Sequence, residues 1–283
     1  MTFYIVIPAY NEEAYIEQML QSLVDQSLTP EKAIVVNDGS TDRTQAIVDR
    51  FAASHSFISS LTLTSEDRHE PGSKVIAAFE EGYKTLGNSY DVLGKFDADI
   101  VLPKNYFQRM KEIFEADPNI GMAGGNLYIQ KGNEWVYESI SKKNKLRGPI
   151  KLYRKECFRA IGGLKKSIGW DTVDGLLARY HKWSVVTDET LRVKHLKPTG
   201  KVYSRAALRL QGEAMYKMRY GWLLSTIAIA KLALKKRSVS FFMHSFKGYL
   251  SASQNKVQPL VNADEGKFIR RLRWSGIRGK LTT

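Results

Sequence analysis

GKFDADIVLP (residues 94–103) is the stretch on which the reading of this chain turns. An apolar run leads into two aspartates one residue apart, Asp97 and Asp99, and an apolar run closed by Pro103 leads away. A single carboxylate at a strand end caps a helix or pairs with a lysine. Two at i and i+2 after a hydrophobic strand can address one hard cation and its ligand together. Mg2+ and Mn2+ take oxygen ligands and share them readily with phosphates. Neither GxxxxGK[ST] nor GxGxxG occurs in the chain. If phosphates bind here, a metal rather than a glycine cradle neutralises them.

Outward from this stretch, strand and helix signals alternate. FYIVIPAY (3–10), AIVVNDGS (33–40), ISSLTLTSE (58–66) and DVLGKFDAD (91–99) read as strands. Between and after them, residues 12–27, 41–54, 72–87 and 103–118 read as helices, the first with Ile16, Met19, Leu20, Leu23 and Val24 at helical spacing. Such alternation predicts right-handed crossovers and a mostly parallel, Rossmann-like sheet flanked by helices. Ligands of these sheets bind beyond the carboxyl ends of the strands. The turns AYNEE, NDGSTD and DADI then share one rim. Each alone could be a helix cap or turn; three acidic turns on one rim point to a site. Residues 121–195 add further strands and two helices to the same sheet.

The net charge is +14, unevenly spread. Residues 194–283 carry 19 basic residues against Glu213, Asp264 and Glu265, while residues 1–193 are slightly acidic. A near-neutral domain followed by a basic tail points away from general nucleic-acid binding and toward an anionic surface for the tail. YGWLLSTIAIAKLALKK (220–236) is apolar nearly all round before it turns basic. Its uncharged run is too short to span a bilayer. The readings are a helical hairpin packed on the preceding domain or a segment lying on an anionic membrane. The expected division is an α/β domain over 1–200, in two halves that meet at about residue 100, followed by a helical basic extension over 201–283. A lone cysteine, Cys157, excludes a disulfide framework within the chain and a Cys-rich zinc site. With a first strand at Phe3, it leads to the expectation of a cytoplasmic protein, peripheral at the cytoplasmic face of a membrane.

The motifs IPAYNEE (7–13), VVNDGSTD (35–42), FDADIVLP (96–103), LYRKECFRAIGG (152–163) and GWDTVDG (169–175) resemble, in order and spacing, the family 2 glycosyltransferases of the GT-A fold. The resemblance covers residue 3 to about 195 and leaves the tail uncovered; it makes 1–200 a GT-A catalytic domain with a nucleotide-sugar half over about 1–100 and an acceptor half over about 101–200. It implies a UDP- or GDP-type nucleotide-sugar donor, Mg2+ or Mn2+, inversion at the anomeric carbon, and a glycan or lipid-linked acceptor in polysaccharide or glycolipid synthesis. By the same similarity Pro8, Ala9, Tyr10 and Glu12 wall the base and ribose, and Asp38 accepts a hydrogen bond from the base. Asp97 contacts the ribose or a metal-bound water, Asp99 ligates the metal, and Lys74 touches nucleotide or diphosphate. His195 is a third metal ligand or a structural histidine, and His69 a lid residue of the donor site. The catalytic base is Asp171 or Asp174. The family's Glu-Asp-x-Asp is altered here, with Thr172 in the place of the inner Asp, and Asp171 is preferred because it is expected just ahead of a helix that carries Asp174 in its first turn. Trp170 is an apolar wall for a sugar or a core residue.

Two other classes compete. A nucleotidyltransferase that makes nucleotide sugars shares the fold and metal site but needs a Gly-rich, Arg-containing loop after the first strand, and PAYNEE is not one. A non-catalytic membrane-surface or polymer-binding protein accounts for the basic tail and leaves the acidic rim unexplained.

Overall fold

The computed structural model describes residues 1–64, 72–198 and 205–279. The chain forms two compact units, one of residues 1–164 with 181–199, the other of residues 165–180 with 200–283.

The first unit is built on one mixed sheet. β1 (Phe3–Ala9) is buried at every position, as a central parallel strand covered on both faces must be. It lies between β2 (Lys32–Asn37) and β4 (Val92–Phe96), parallel to both, and β3 (Ile58–Thr62) continues the parallel set beyond β2. Helices α1 (Ile16–Val24), α2 (Thr44–Ser54) and α3 (Ser73–Thr85) make the crossovers. Ile16, Met19, Leu20 and Leu23 of α1 are all buried in the core that Phe3, Ile5 and Ile7 enter from β1. Complete burial of each such side chain contributes about 1.5–3 kcal/mol. The GT-A-type parallel series expected from the sequence is therefore present.

Beyond β4 the sheet changes sense. β8 (Ile150–Arg154) runs antiparallel to β4, and β6 (Ile120–Lys131) antiparallel to β8. β9 (Ser184–His195) then runs parallel to β6. Gly94 shows how tightly β4 is enclosed. A Cβ there would stand 2.5 Å from Ile5 Cδ1 and 2.9 Å from Leu152 Cδ2 on the two neighbouring strands. α4 (Tyr106–Ala116) covers the sheet with Phe107, Met110 and Phe114, and α5 (Lys155–Ala160) follows β8.

Two strands were not anticipated. β7 (Glu134–Tyr137) folds back on β6 as a hairpin. β5 is only Ile100–Val101, and it pairs with the end of β9, Ile100 opposite His195. It is too short to show alternation, so the sequence reads as the strand before it running straight into a helix.

The second unit is helical, as expected of the basic extension. It holds α6 (Trp170–Tyr180), α7 (Arg205–Lys217), α8 (Trp222–Lys236), α9 (Val239–Gln254) and α10 (Ala263–Arg278). Residues 165–180, read on the sequence as part of the first domain, cluster here instead. One contact that joins them is the Tyr180 ring of α6 edge-on to Phe268 of α10, 5.6 Å between centroids. α7 and α9 meet at Gly212 and Gly248. A Cβ on the first would lie 1.7 Å from the Ser245 carbonyl oxygen, and on the second 2.0 Å from that of Arg209. Any side chain at either point would force the backbones apart. α10 opens with a capping box between Asn262 and Glu265. No helix among the described residues is long and apolar enough to cross a membrane.

Candidate functional site

The carboxyl ends of β1, β2 and β4 and the start of α3 surround a cleft of about 370 Å3. The turns around it are tied together by their backbones. Asp38 N–H donates to the Ala9 carbonyl at 2.9 Å, and Glu12 N–H donates to Thr44 Oγ1 at 2.9 Å. Pro8, Ala9, Tyr10, Glu12, Asp38, Lys74, Asp97 and Asp99 all line the cleft, and Lys197 joins them. Every residue expected to face the nucleotide is thus brought to one place. Lys74, which could have been a solvated helix residue, lies with its Nζ 5.9 Å from the centroid of the half-exposed Tyr10 ring. His69 lies outside the described residues.

Four carboxylates against two lysines make this lining acidic. Burial raises the proton affinity of Glu12, the ion pair to Lys197 (3.1 Å) opposes it, and Asp99 and Asp97 add repulsion; the net shift is upward.

Beneath the rim lies a layer of buried charge. Asp97 Oδ1 accepts from the ammonium of Lys95, a residue 1% exposed in the middle of β4. Lys151 on β8, equally buried, stands directly opposite Lys95 in the strand register. Asp99 is buried, and β5 carries the chain from it into pairing with β9; the Leu196 N–H donates to the Asp99 carbonyl at 2.8 Å. Asp99 Oδ2 therefore lies 3.6 Å from His195 Nε2. The other imidazole nitrogen, Nδ1, is 3.0 Å from Glu138 Oε2, which also accepts from Arg147 Nη1 at 3.2 Å. Burial alone would push the His195 pKa down; Asp99 and Glu138 outweigh it and lift it to about 9. The imidazole between two carboxylates thus holds a proton where a cation could stand.

Among the described residues no three His, Cys, Asp or Glu side chains form a ready cage. The arrangement does fit a hard cation shared with a ligand. Asp99 Oδ1 is a buried oxygen with no hydrogen-bond partner. His195 offers Nε2 to the same place, and Glu138 on Nδ1 is the supporting carboxylate that fixes the tautomer of a ligating histidine. Asp97 takes part in an ion pair with Lys95, so its carboxylate is less available than that of Asp99.

Lys95, Lys151, Glu138, Arg147 and Lys197 were missed on the sequence. Lys95 left a signal, a charge in the middle of an otherwise apolar β4. Glu138 left an indirect one, the Gly132-Asn133 turn of the β6–β7 hairpin that precedes it.

Asp171 and Asp174 belong to the second unit. α6 begins at Trp170, with Thr172 and Val173 N–H both donating to the Gly169 carbonyl. This corrects the expected register: Asp171 is in the first turn rather than ahead of the helix, and Asp174 is in the second. Asp171 is partly exposed, whereas Asp174 is 1% exposed and Trp170 is buried.

Comparison with known proteins bears on the family and the fold. The family described as glycosyl transferase family 2 matches residues 4–165. An uncharacterized glycosyltransferase, EpsJ of Bacillus subtilis, is 30% identical over 134 residues, 47% of this chain and 36% of its own length. The poly-beta-1,6-N-acetyl-D-glucosamine synthase of Staphylococcus aureus is 26% identical over 185 residues, 64% of this chain and 40% of its own. The chain therefore spans well under half the length of these two relatives. Among solved structures, the mannosyltransferase PcManGT of Pyrobaculum calidifontis, in complex with GDP-Man and Mn2+, superposes with a TM-score of 0.57. It is 16% identical and covers 97% of this chain and 80% of its own, a likeness of fold. The match over 4–165, containing the three acidic turns and the strands that hold them, shows that the chain belongs to glycosyl transferase family 2, and the likeness of fold is to GT-A structures.

Proposed function

We infer that the protein is a metal-dependent inverting glycosyltransferase that moves a sugar from a UDP- or GDP-type donor to an acceptor hydroxyl. The acceptor is a growing polysaccharide or a lipid-linked glycan at the cytoplasmic face of a membrane. The observation that carries the reading is the buried Asp99 Oδ1 with no partner, in an acidic cleft, beside a histidine oriented by Glu138. The name of the staphylococcal relative supports a polysaccharide product, and the Mn2+ and GDP-Man in PcManGT support metal and donor type.

Pro8, Ala9, Tyr10 and Glu12 would receive base and ribose, Asp38 the base, Asp97 the ribose, and Lys74 the nucleotide or its diphosphate. Asp99 and His195 would hold Mg2+ or Mn2+, with Asp97 reaching it through water. When bound, the cation supplies electrostatic stabilisation of the leaving diphosphate. Inversion is a single displacement through an oxocarbenium-like centre, with the acceptor oxygen attacking on the face opposite the diphosphate. Asp171 would take the acceptor's proton as its C–O bond forms.

A thermal-shift panel of nucleotide sugars with and without Mn2+ tests the reading. A donor at about 100 times its Kd stabilises the native state by about 2.7 kcal/mol, so the cognate sugar nucleotide should raise the midpoint by several degrees when Mn2+ is present. If no nucleotide sugar moves the midpoint in either buffer, the reading fails. A second expectation concerns Glu138. Glu138→Gln keeps the volume and removes the charge behind His195, and should weaken Mn2+ affinity about 10–100-fold, read as the Mn2+ concentration needed for half the donor-induced shift. An unchanged Mn2+ requirement would remove His195 from the ligand set.

A further inference from the structure

Helices α8 and α9 carry a feature that the transfer chemistry does not use. The inner side of α8 is satisfied within its own unit, where Leu224, Ser225, Ile229 and Ala233 are buried. Yet α8 also exposes Leu223, Ile227 and Leu234, and Leu234 is 79% exposed. With Ala230 these fall at i, i+4, i+7 and i+11, one continuous stripe along the helix. The same spacing recurs on α9, where Val239 (78% exposed), Met243 (60% exposed) and Leu250 join the partly exposed Phe246. Trp222, 69% exposed, stands at the first position of α8. A water-soluble helix normally buries one apolar stripe; α8 has one inside and a second outside. Exposed apolar runs of this kind mark interaction surfaces.

The charge pattern chooses the partner. Between Glu213 and Asp264 the chain has no acidic residue, while it holds eight lysines and arginines. Lys231, Lys235, Lys236, Arg237 and Lys247 are all exposed on α8, on α9 or at the turn between them. A second copy of the same face would bring like charges together across a two-fold axis, where nothing acidic on these helices could answer them. A surface that is apolar inside and anionic outside answers both halves of the pattern: side chains such as Leu234 and Met243 enter the acyl boundary while the cations meet phosphates. α8 and α9 are 15 and 16 residues long, too short to span, so they would lie in the interface.

We propose that the exposed stripes of α8 and α9, with their lysines and Arg237, form the surface by which this protein docks on an anionic lipid bilayer. The proposal deepens the membrane placement given above, and it rests on that placement but not on the identity of donor or metal.

The test is sedimentation of the full chain with two sets of vesicles, phosphatidylcholine alone and phosphatidylcholine with about 30% phosphatidylglycerol, a fraction chosen to give a strongly anionic surface. Binding is expected only to the anionic set, falling as salt is raised through the range where the screening length shortens. Leu234→Ser combined with Met243→Ser should lower the partition coefficient about tenfold or more, because both side chains are exposed and their loss removes buried apolar area only in the bound state. Lys231→Glu combined with Lys235→Glu should lower it comparably. Circular-dichroism melts and the donor-induced thermal shift should stay as in the parent, which separates failure of the docking surface from failure of the transferase reading. Absence of binding to anionic vesicles overturns the proposal. So does full binding by both double variants, or a stable dimer in solution that the Leu234 and Met243 substitutions dissolve.

Discussion

Asp99→Asn is expected to lower metal-dependent sugar transfer about 10²–10³-fold or more in a protein that still folds. The size follows from what the substitution removes. Taking one preorganised electrostatic group from the developing charge of a leaving group costs about this much. The isosteric amide keeps the volume and still offers an oxygen, but it lacks the charge that a hard divalent ion needs. Some stability should be lost with the charge, because Asp99 Oδ2 lies 3.6 Å from His195 Nε2 and helps to lift its pKa to about 9, while Asp99 Oδ1 makes no hydrogen bond in the fold and the backbone link from Leu196 N–H to the Asp99 carbonyl is untouched. Asp97→Asn is the internal comparison. Its carboxylate takes part in an ion pair with the buried Lys95, so this variant should show a smaller loss of rate and a larger loss of stability, with a buried ammonium deprived of an anionic partner. Transfer by Asp99→Asn at the parent rate in Mn2+ buffer would overturn the assignment of Asp99.

The contrast between these two aspartates shows what a sequence can and cannot carry. The motif Asp-x-Asp, its place after the fourth strand and the two earlier acidic turns were enough to read a parallel sheet and a cleft beyond its strand ends. Those are local signals: apolar runs of strand length, helical spacing in α1, turn residues after each strand. The division of labour between Asp97 and Asp99 was not local. It depends on Lys95, two positions before Asp97, and on β5, a two-residue strand that pairs with the end of β9. Pairing Ile100 with His195 is a contact across 95 positions of chain, and nothing in IVLP announces it. Glu138 is further from reach: Gly132-Asn133 between two strand-like runs signals the β6–β7 hairpin, but which side chain beyond it meets His195 is not written locally. The start of α6 was misread by a short margin for a related reason. Gly169 reads as a breaker, and the helix begins immediately after it.

That shift in α6 bears on the second large effect. Asp171→Asn should cut transfer about 10²–10⁴-fold, the range that a positioned general base contributes, while leaving the donor-induced thermal shift intact. A base for the acceptor must be reachable by a hydroxyl that arrives from solution. Asp171, in the first turn of α6, is partly exposed; Asp174, one turn on, is 1% exposed, and one of its oxygens accepts from the Gly175 N–H. Asp174→Asn is accordingly expected to lower the melting temperature while sparing much of the transfer rate, since it perturbs a buried polar group rather than an open one. The two variants therefore divide cleanly between rate and stability if Asp171 is the base. Measured side by side, with calorimetric donor titration to show that each still binds sugar nucleotide, they exclude the trivial explanation that the acceptor step fails because the donor is missing. Transfer at the parent rate by Asp171→Asn, together with loss of transfer but not of fold in Asp174→Asn, would move the base to Asp174 and require α6 to open its second turn to the acceptor.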